Sequence, residues 1–191
     1  MQHFYNNKNK FPENWFTFPK LYSHFVNICH DQATIVEIGS YKGQSTVYMA
    51  VEIINSKKNI NFYAIDTWQG SAENLNKSSP HYNKNIDQLY NTYLNNIYDV
   101  KEYIKNIRST SAEAVKLFED KSIDIVFIDA CHEYECVYND ILMWLPKIKQ
   151  QGIIAGHDYN HGWPGVERAV HELLGKQNIT TQEYCWIYKV K

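Results

Sequence analysis

Four short segments carry residues whose types and spacing can do chemistry. In Val36-Glu37-Ile38-Gly39-Ser40-Tyr41-Lys42-Gly43-Gln44-Ser45, an acid stands two residues before the first glycine. Gly39 lets the chain turn sharply and brings its backbone close to a ligand. Gly43 and Ser45 fall where a helix would begin, with Ser45 a candidate cap. The loop lacks the G-x-G-x-x-G of a dinucleotide site, and Glu37 suits a cationic or amine-bearing ligand better than a pyrophosphate. Asp66 ends a second apolar run, where a carboxylate accepts hydrogen bonds from ribose hydroxyls; a turn or helix cap before Thr67-Trp68 is the plainer alternative.

The other two segments are Ile128-Asp129-Ala130-Cys131-His132-Glu133-Tyr134 and Gly156-His157-Asp158-Tyr159. If their strands are neighbours, about 4.8 Å apart, Asp129 and Asp158 can share a divalent cation, with His157 as a third ligand. Carboxylates suit Mg²⁺ or Ca²⁺, and a histidine ligand admits Mn²⁺. His132, with an ordinary pKa of about 6.5, can accept a hydroxyl proton at neutral pH. A structural histidine at a helix start is the alternative. His161 and Trp163 follow in a loop that is either a substrate wall or plain surface.

These segments need elements to hold them. Thr34–Ile38 is a β-branched run that reads as a buried strand, and residues 44–56 follow with helical spacing. Further strands are predicted over 61–66, 104–108, 123–129, 152–156 and 184–190. Helices are predicted after Pro19, over 112–118, over 133–145 up to Pro146, and over 164–174 up to Gly175. Alternating strands and helices mean an α/β protein with a mainly parallel sheet. The polar stretch 70–99 interrupts the rhythm, carries Pro80, and holds a helix around 86–97. Its tyrosines 82, 90, 93 and 98 either stack on an acceptor or pack that helix onto the sheet. Residues 1–13, rich in Asn and Lys, read as loosely held.

Composition narrows the classes. The 191 residues are one domain's worth, 44% hydrophobic and 21% charged, as in ordinary globular chains. A net charge of −2, with Arg108 and Arg168 the only arginines, argues against a nucleic-acid partner. Cys29, Cys131, Cys136 and Cys185 form no C-x-x-C pair and read as free thiols. No signal-peptide pattern and no membrane-length apolar run is visible. The expectation is a cytoplasmic protein without membrane contact, its N-terminal helix offering a surface for a homo-oligomer.

Taken together, V-E-I-G-S-Y-K-G-Q-S, D-x-W-x-G at 66–70, S-x-S-A-E-A at 109–114, D-I-V-F-I-D-A-C-H-E-Y-E at 124–135 and G-I-I-A-G-H-D-Y at 152–159 resemble the class I S-adenosylmethionine (SAM)-dependent methyltransferases. They are closest to the small-molecule O-methyltransferase branch, of catechol type or of the bacterial kind that modifies sugars and macrolides. The resemblance covers about residues 33–175. It implies a single-domain Rossmann-like fold with a mainly parallel seven-stranded sheet and an antiparallel C-terminal strand. It implies SAM as cofactor, with Glu37, Gly39, Ser40, Tyr41, Gly43 and Ser45 at its methionine end. Asp66 would hold its ribose beside Thr67 and Trp68, and Ser111 and Ala112 would meet its adenine. Asp129 would sit by the SAM amine and a divalent metal such as Mg²⁺, and Asp158 matches a metal ligand. His132 falls where relatives place the general base. The catechol-type branch has Asn where this chain has Tyr159, and the sugar-modifying branch has an acid where it has His157. The acceptor would be a sugar, polyketide or phenol hydroxyl. The competing readings are a SAM-binding protein without transfer activity and a nicotinamide-dependent oxidoreductase.

Overall fold

The protein was analysed as a computed structural model. It describes residues 1–79 and 82–191, with the backbone alone at 72 and 73, so Pro80 lies outside the described residues. The strands are β1 (Thr34–Ile38), β2 (Asn61–Asp66), β3 (Lys105–Arg108), β4 (Ile123–Ile128), β5 (Ile148–Gly156), β6 (Thr180–Gln182) and β7 (Cys185–Lys189). The helices are α1 (Pro19–Ile28), α2 (Gln44–Ser56), α3 (Ala72–Leu75), α4 (Leu89–Ile97), α5 (Ser111–Ala114), α6 (Tyr134–Trp144) and α7 (Pro164–Leu174). The strands form one sheet in the order β3-β2-β1-β4-β5-β7-β6. Its first five strands run parallel, and β7 runs antiparallel to both β5 and β6. The dinucleotide-binding order 3-2-1-4-5-6 does not contain this inserted antiparallel strand. The fold is therefore the Rossmann-like methyltransferase arrangement and not that of a nicotinamide enzyme.

Both faces of the sheet are covered, which is why its central strands are mainly apolar. Successive residues point to opposite faces. On β4, Ile125 and Phe127 join Leu21, Phe25, Val47, Val51 and Phe62 in one core layer. Val126 and Ile128 join Val36, Ile141, Trp144, Val166 and Val170 in the other. The helix boundaries follow local chemistry. Pro19 and Pro164 stand at the first helical positions of α1 and α7, where the missing N–H costs nothing. Gly43, with φ of 85°, turns the chain into α2.

Several expectations need correction. Residues 1–13 are not loose. Phe11 is 2% exposed, Gln44 Nε2 donates to Tyr5 O at 3.0 Å, and Asn96 Nδ2 donates to Lys10 O at 3.3 Å. The aromatics in this polar segment anchor it as a strap across α2 and α4. Ser45 is no cap; it is the second residue of α2, whose capping position is Gly43. Strand β5 starts at Ile148, four residues earlier than predicted, through an irregularity opposite Ile123–Ile125. The short polar strand β6 has no apolar alternation to reveal it. In 70–99, Tyr93 is fully buried and Tyr90 packs on Trp68 at 4.8 Å, whereas Tyr98 is 63% exposed. Tyr90 and Tyr93 therefore seat α4, while Tyr82 and Tyr98 are exposed. The apolar face of α1 is taken up inside the chain, against α2. No helix is long and apolar enough to cross a membrane among the described residues.

Candidate active site

The β1–α2 loop is built on close backbone approach. Because β1 and β4 pair with Ile38 opposite Ile128, the residues just beyond them meet: Asp129 N donates to Ile38 O at 2.8 Å. Gly39 has φ of +90°, and a Cβ there would sit 2.1 Å from Asp129 O. Only glycine fits. Ser40 N and Tyr41 N donate to Asp66 Oδ2 at 2.9 and 2.8 Å, and Trp68 N donates to Asp66 Oδ1 at 2.7 Å. Asp66 thus clamps the loop and its own turn; Oδ2 is saturated by two N–H groups, and Oδ1, with one, keeps a further lone pair for a hydroxyl. Tyr41 and Trp68 hold left-handed backbone, φ of 45° and 52°, a strain that such clamping sustains.

Glu37 takes a station different from the expected one. It is 1% exposed and does not line the open cleft. Tyr22 Oη and Ser40 Oγ donate to it at 2.9 Å each, with Thr46 and Ser45 as further hydroxyl partners. Burial raises its pKa, against the lowering effect of those four hydroxyls. In this structure it organises the loop from beneath.

At the ends of β4 and β5 the acids and imidazoles converge. His132 Nε2 lies 2.8 Å from Asp158 Oδ2. His157 Nδ1 lies 3.3 Å from Asp158 Oδ2 and 3.7 Å from Asp129 Oδ1. Its Nε2 lies 3.0 Å from Thr17 Oγ1. Asp158 itself is left-handed, φ of 58°, which turns its carboxylate between the two rings. Burial disfavours charge on His157, but Asp129 and Asp158 outweigh it and lift its pKa to about 10. Burial alone would raise the Asp158 pKa; His132 and His157 instead pull it well below the ordinary carboxylate range. The cluster is an ion-paired network with an imidazolium at its centre.

Asp129, His132 and Asp158 bring one ligand atom each within 4.8 Å of one another. Two carboxylates and an imidazole are a fitting donor set for Mg²⁺ or Mn²⁺. His132 is the imidazole of this group; His157, the ligand that sequence spacing pointed to, brings Nδ1 to 3.7 Å from Asp129 and 3.3 Å from Asp158 while its Nε2 faces Thr17.

These groups open onto a cleft of about 360 Å³, within the size range of small-ligand pockets. Of the residues expected to bind, Gly39, Ser40, Tyr41, Ser45, Asp129, His132, His157 and Asp158 line it. Gly43, Asp66, Thr67, Trp68, Ser111 and Ala112 do not. Trp68 is 2% exposed, its Nε1 donating to Tyr41 O at 3.0 Å. Ser111 Oγ accepts from Trp144 Nε1 at 2.8 Å. Ser71 and Asn74 bring the 70–99 stretch to the cleft edge. Trp163 also lines it, its ring 4.1 Å from that of His132, whereas the His161 side chain is fully exposed. The remaining wall is the N-terminal strap. Trp15 stacks on Tyr41 at 5.3 Å, Glu13 pairs with Lys42, and Phe18 packs on His157 at 4.7 Å. Sequence reasoning missed this wall; the signal was four aromatics, Phe11, Trp15, Phe16 and Phe18, in eight otherwise polar-rich positions.

Comparison with known proteins is consistent with this geometry. The sequence profile of the methyltransferase domain family matches residues 36–159. An uncharacterized protein of Sinorhizobium fredii is 26% identical over 124 residues, covering 65% of this chain and 13% of that one. An uncharacterized protein of Acanthamoeba polyphaga mimivirus is 30% identical over 151 residues, covering 75% and 60%. The chain thus spans less than two thirds of the length of either relative. Among solved structures, the O-methyltransferase NovP superposes with a TM-score of 0.65 at 16% identity, covering 91% of this chain and 79% of NovP. CalS11, a TDP-rhamnose 3'-O-methyltransferase of calicheamicin biosynthesis, gives 0.61 at 13% identity, covering 90% and 76%. At such identities the likeness is one of fold.

Proposed function

Because this chain belongs to the methyltransferase domain family, we propose that it transfers the methyl group of SAM to a hydroxyl oxygen of a small molecule held in the cleft. The observation that carries this reading is the His132–Asp158 contact of 2.8 Å, on the same cleft as Gly39, Ser40 and Tyr41. A carboxylate-oriented imidazole is the arrangement a general base needs.

Bound SAM supplies an electrophilic methyl on a sulfonium. Attack of the acceptor oxygen on that carbon would release S-adenosylhomocysteine, with the C–S electron pair leaving on sulfur. The hydroxyl proton passes to the His132 imidazole, and Asp158 stabilises the imidazolium that forms. Gly39 and Ser40 position the donor, and alignment of the two reactants supplies much of the acceleration. His157 holds positive charge beside Asp129 and Asp158, so the carboxylates are compensated by a protein group. A divalent cation would be held by Asp129, His132 and Asp158 and would polarise the acceptor hydroxyl as a Lewis acid. His132 cannot serve as ligand and base at once, and the dyad is the reading favoured here. The rings of Trp15, Tyr41 and Trp163 suit an acceptor with a ring face, such as a sugar or a phenol.

The test is S-adenosylhomocysteine release across a panel of sugar, polyketide and phenol acceptors. His132→Ala should lower kcat by about 10²–10⁴-fold while leaving SAM affinity within a few fold. Undiminished turnover would remove the base assignment. SAM binding with no release on any acceptor would favour a non-transferring SAM binder.

A further inference from the structure

A second donor cluster sits on the same loop as His132 but outside the cleft. Cys131, Glu133 and Cys136 bring one ligand atom each within 4.8 Å of one another, and none of the three lines the cleft. Both cysteines are free thiols, half-buried, while Glu133 is exposed. The spacing is not a zinc-ribbon pattern; the fold makes the cluster. Glu133 is the capping residue of α6, with extended backbone (φ −72°, ψ 143°), and Cys136 follows on the first helical turn. The short side chains of Ser, Thr, Asp and Asn cap the exposed N–H groups at that position; the longer Glu does not favour it. Here the Glu133 side chain makes no capping bond and lies within reach of both sulfurs instead.

We propose that Cys131, Glu133 and Cys136 form a binding site for Zn²⁺, distinct from the harder Asp129/His132/Asp158 set. The two soft thiolates select Zn²⁺ over Mg²⁺, and zinc accepts a carboxylate oxygen beside them. Three protein ligands with one exposed edge leave the fourth tetrahedral position to solvent. Binding displaces a proton from each thiol and forms two metal–sulfur bonds, with no change of oxidation state. The ligands bracket His132 at positions 131 and 133, so an ion there stiffens the backbone that carries the imidazole. An effect on turnover rests on the proposed role of His132; ion uptake does not.

The experiment uses the full chain, reduced and oxygen-free, with Co²⁺ as the optical probe and Zn²⁺ as competitor. The expected result is a thiolate-to-cobalt charge-transfer band in the near ultraviolet that saturates at one Co²⁺ per chain and is displaced by Zn²⁺. Cys131→Ser and Cys136→Ser should each lose the band and weaken binding at least about 10-fold. Asp158→Asn should keep it, which separates the two sites. Neither SAM nor an acceptor is needed, so failure here is distinct from failure of the methyl-transfer reading. Absence of the band in the parent chain, its persistence in the Cys131→Ser/Cys136→Ser double variant, or a Cys131–Cys136 disulfide in place of metal uptake would overturn the site.

Discussion

Thr17 Oγ1 lies 3.0 Å from His157 Nε2, across 140 residues of sequence. With His157 protonated, Nε2–H donates to the threonine oxygen while Nδ1 faces Asp129 and Asp158. This contact, beside the packing of Phe18 on the same ring, ties the N-terminal strap to the charged centre of the site. Thr17→Val should loosen the strap without unfolding the domain. A lost bond to a charged group is worth about 1.5–3 kcal/mol. Amide exchange over residues 11–18 should therefore accelerate by more than about 10-fold, with little change in β4. Unaltered exchange there would show that the aromatic anchors alone hold the strap.

The pH dependence of stability follows from His157. Its folded pKa, about 10, lies above the unfolded value of about 6.5. The network's contribution is therefore full below about pH 6.5 and is lost as pH rises through about 10. In metal-free protein, urea unfolding should show stability falling across that window. His157→Gln should flatten the slope; an unchanged slope would mean that His157 is not the titrating group.

Asp140 behaves in the opposite sense to a paired surface acid. It is 7% exposed, and burial lifts its pKa to about 6, with a Ser111 hydrogen bond opposing the rise. An acid whose folded pKa is raised contributes most when protonated, so its contribution is full below about pH 4 and lost as pH rises through 6. Asp140→Asn keeps the hydrogen bond and removes the buried charge. It should stabilise the protein by about 1–2 kcal/mol at pH 8 and be near neutral at pH 4. Destabilisation at pH 8 would contradict the assignment.

Gly39→Ala tests the cofactor loop. The new Cβ would meet Asp129 O at 2.1 Å and Ala130 Cα at 2.8 Å, both backbone, at a φ of +90°. The expected cost is about 2–4 kcal/mol, together with loss of SAM binding. Gly162→Ala is the control. Its Cβ would meet only the Asn160 side chain, at 2.9 Å, and should change stability by less than about 0.5 kcal/mol. Equal effects at both positions would mean the loop is more plastic than its geometry indicates.

Much of the fold was legible because its signals are local. Thr34–Ile38 and Ile123–Ile128 are strands because β-branched runs between turn residues suit buried parallel sheet. The strap was illegible because the Asn and Lys residues at 6–10 dominate its local reading, and burial of Phe11, Phe16 and Phe18 is a tertiary event. Strand β6 was illegible because pairing with β7 forms it, without any pattern of its own.

The sequence by itself determined where the acids would stand, since Asp66, Asp129 and Asp158 each follow an apolar strand and chain order sets the ends of a parallel sheet. Only the tertiary structure decided what those acids touch. It turned Asp158 to His132 through a left-handed backbone, gave His157 to Thr17, sank Glu37 beneath the loop among four hydroxyls, and drew Cys131, Glu133 and Cys136 together. Position along a strand is fixed by short-range pattern. Hydrogen-bond partners depend on side chains from distant segments arriving in one place, which no local window of sequence contains.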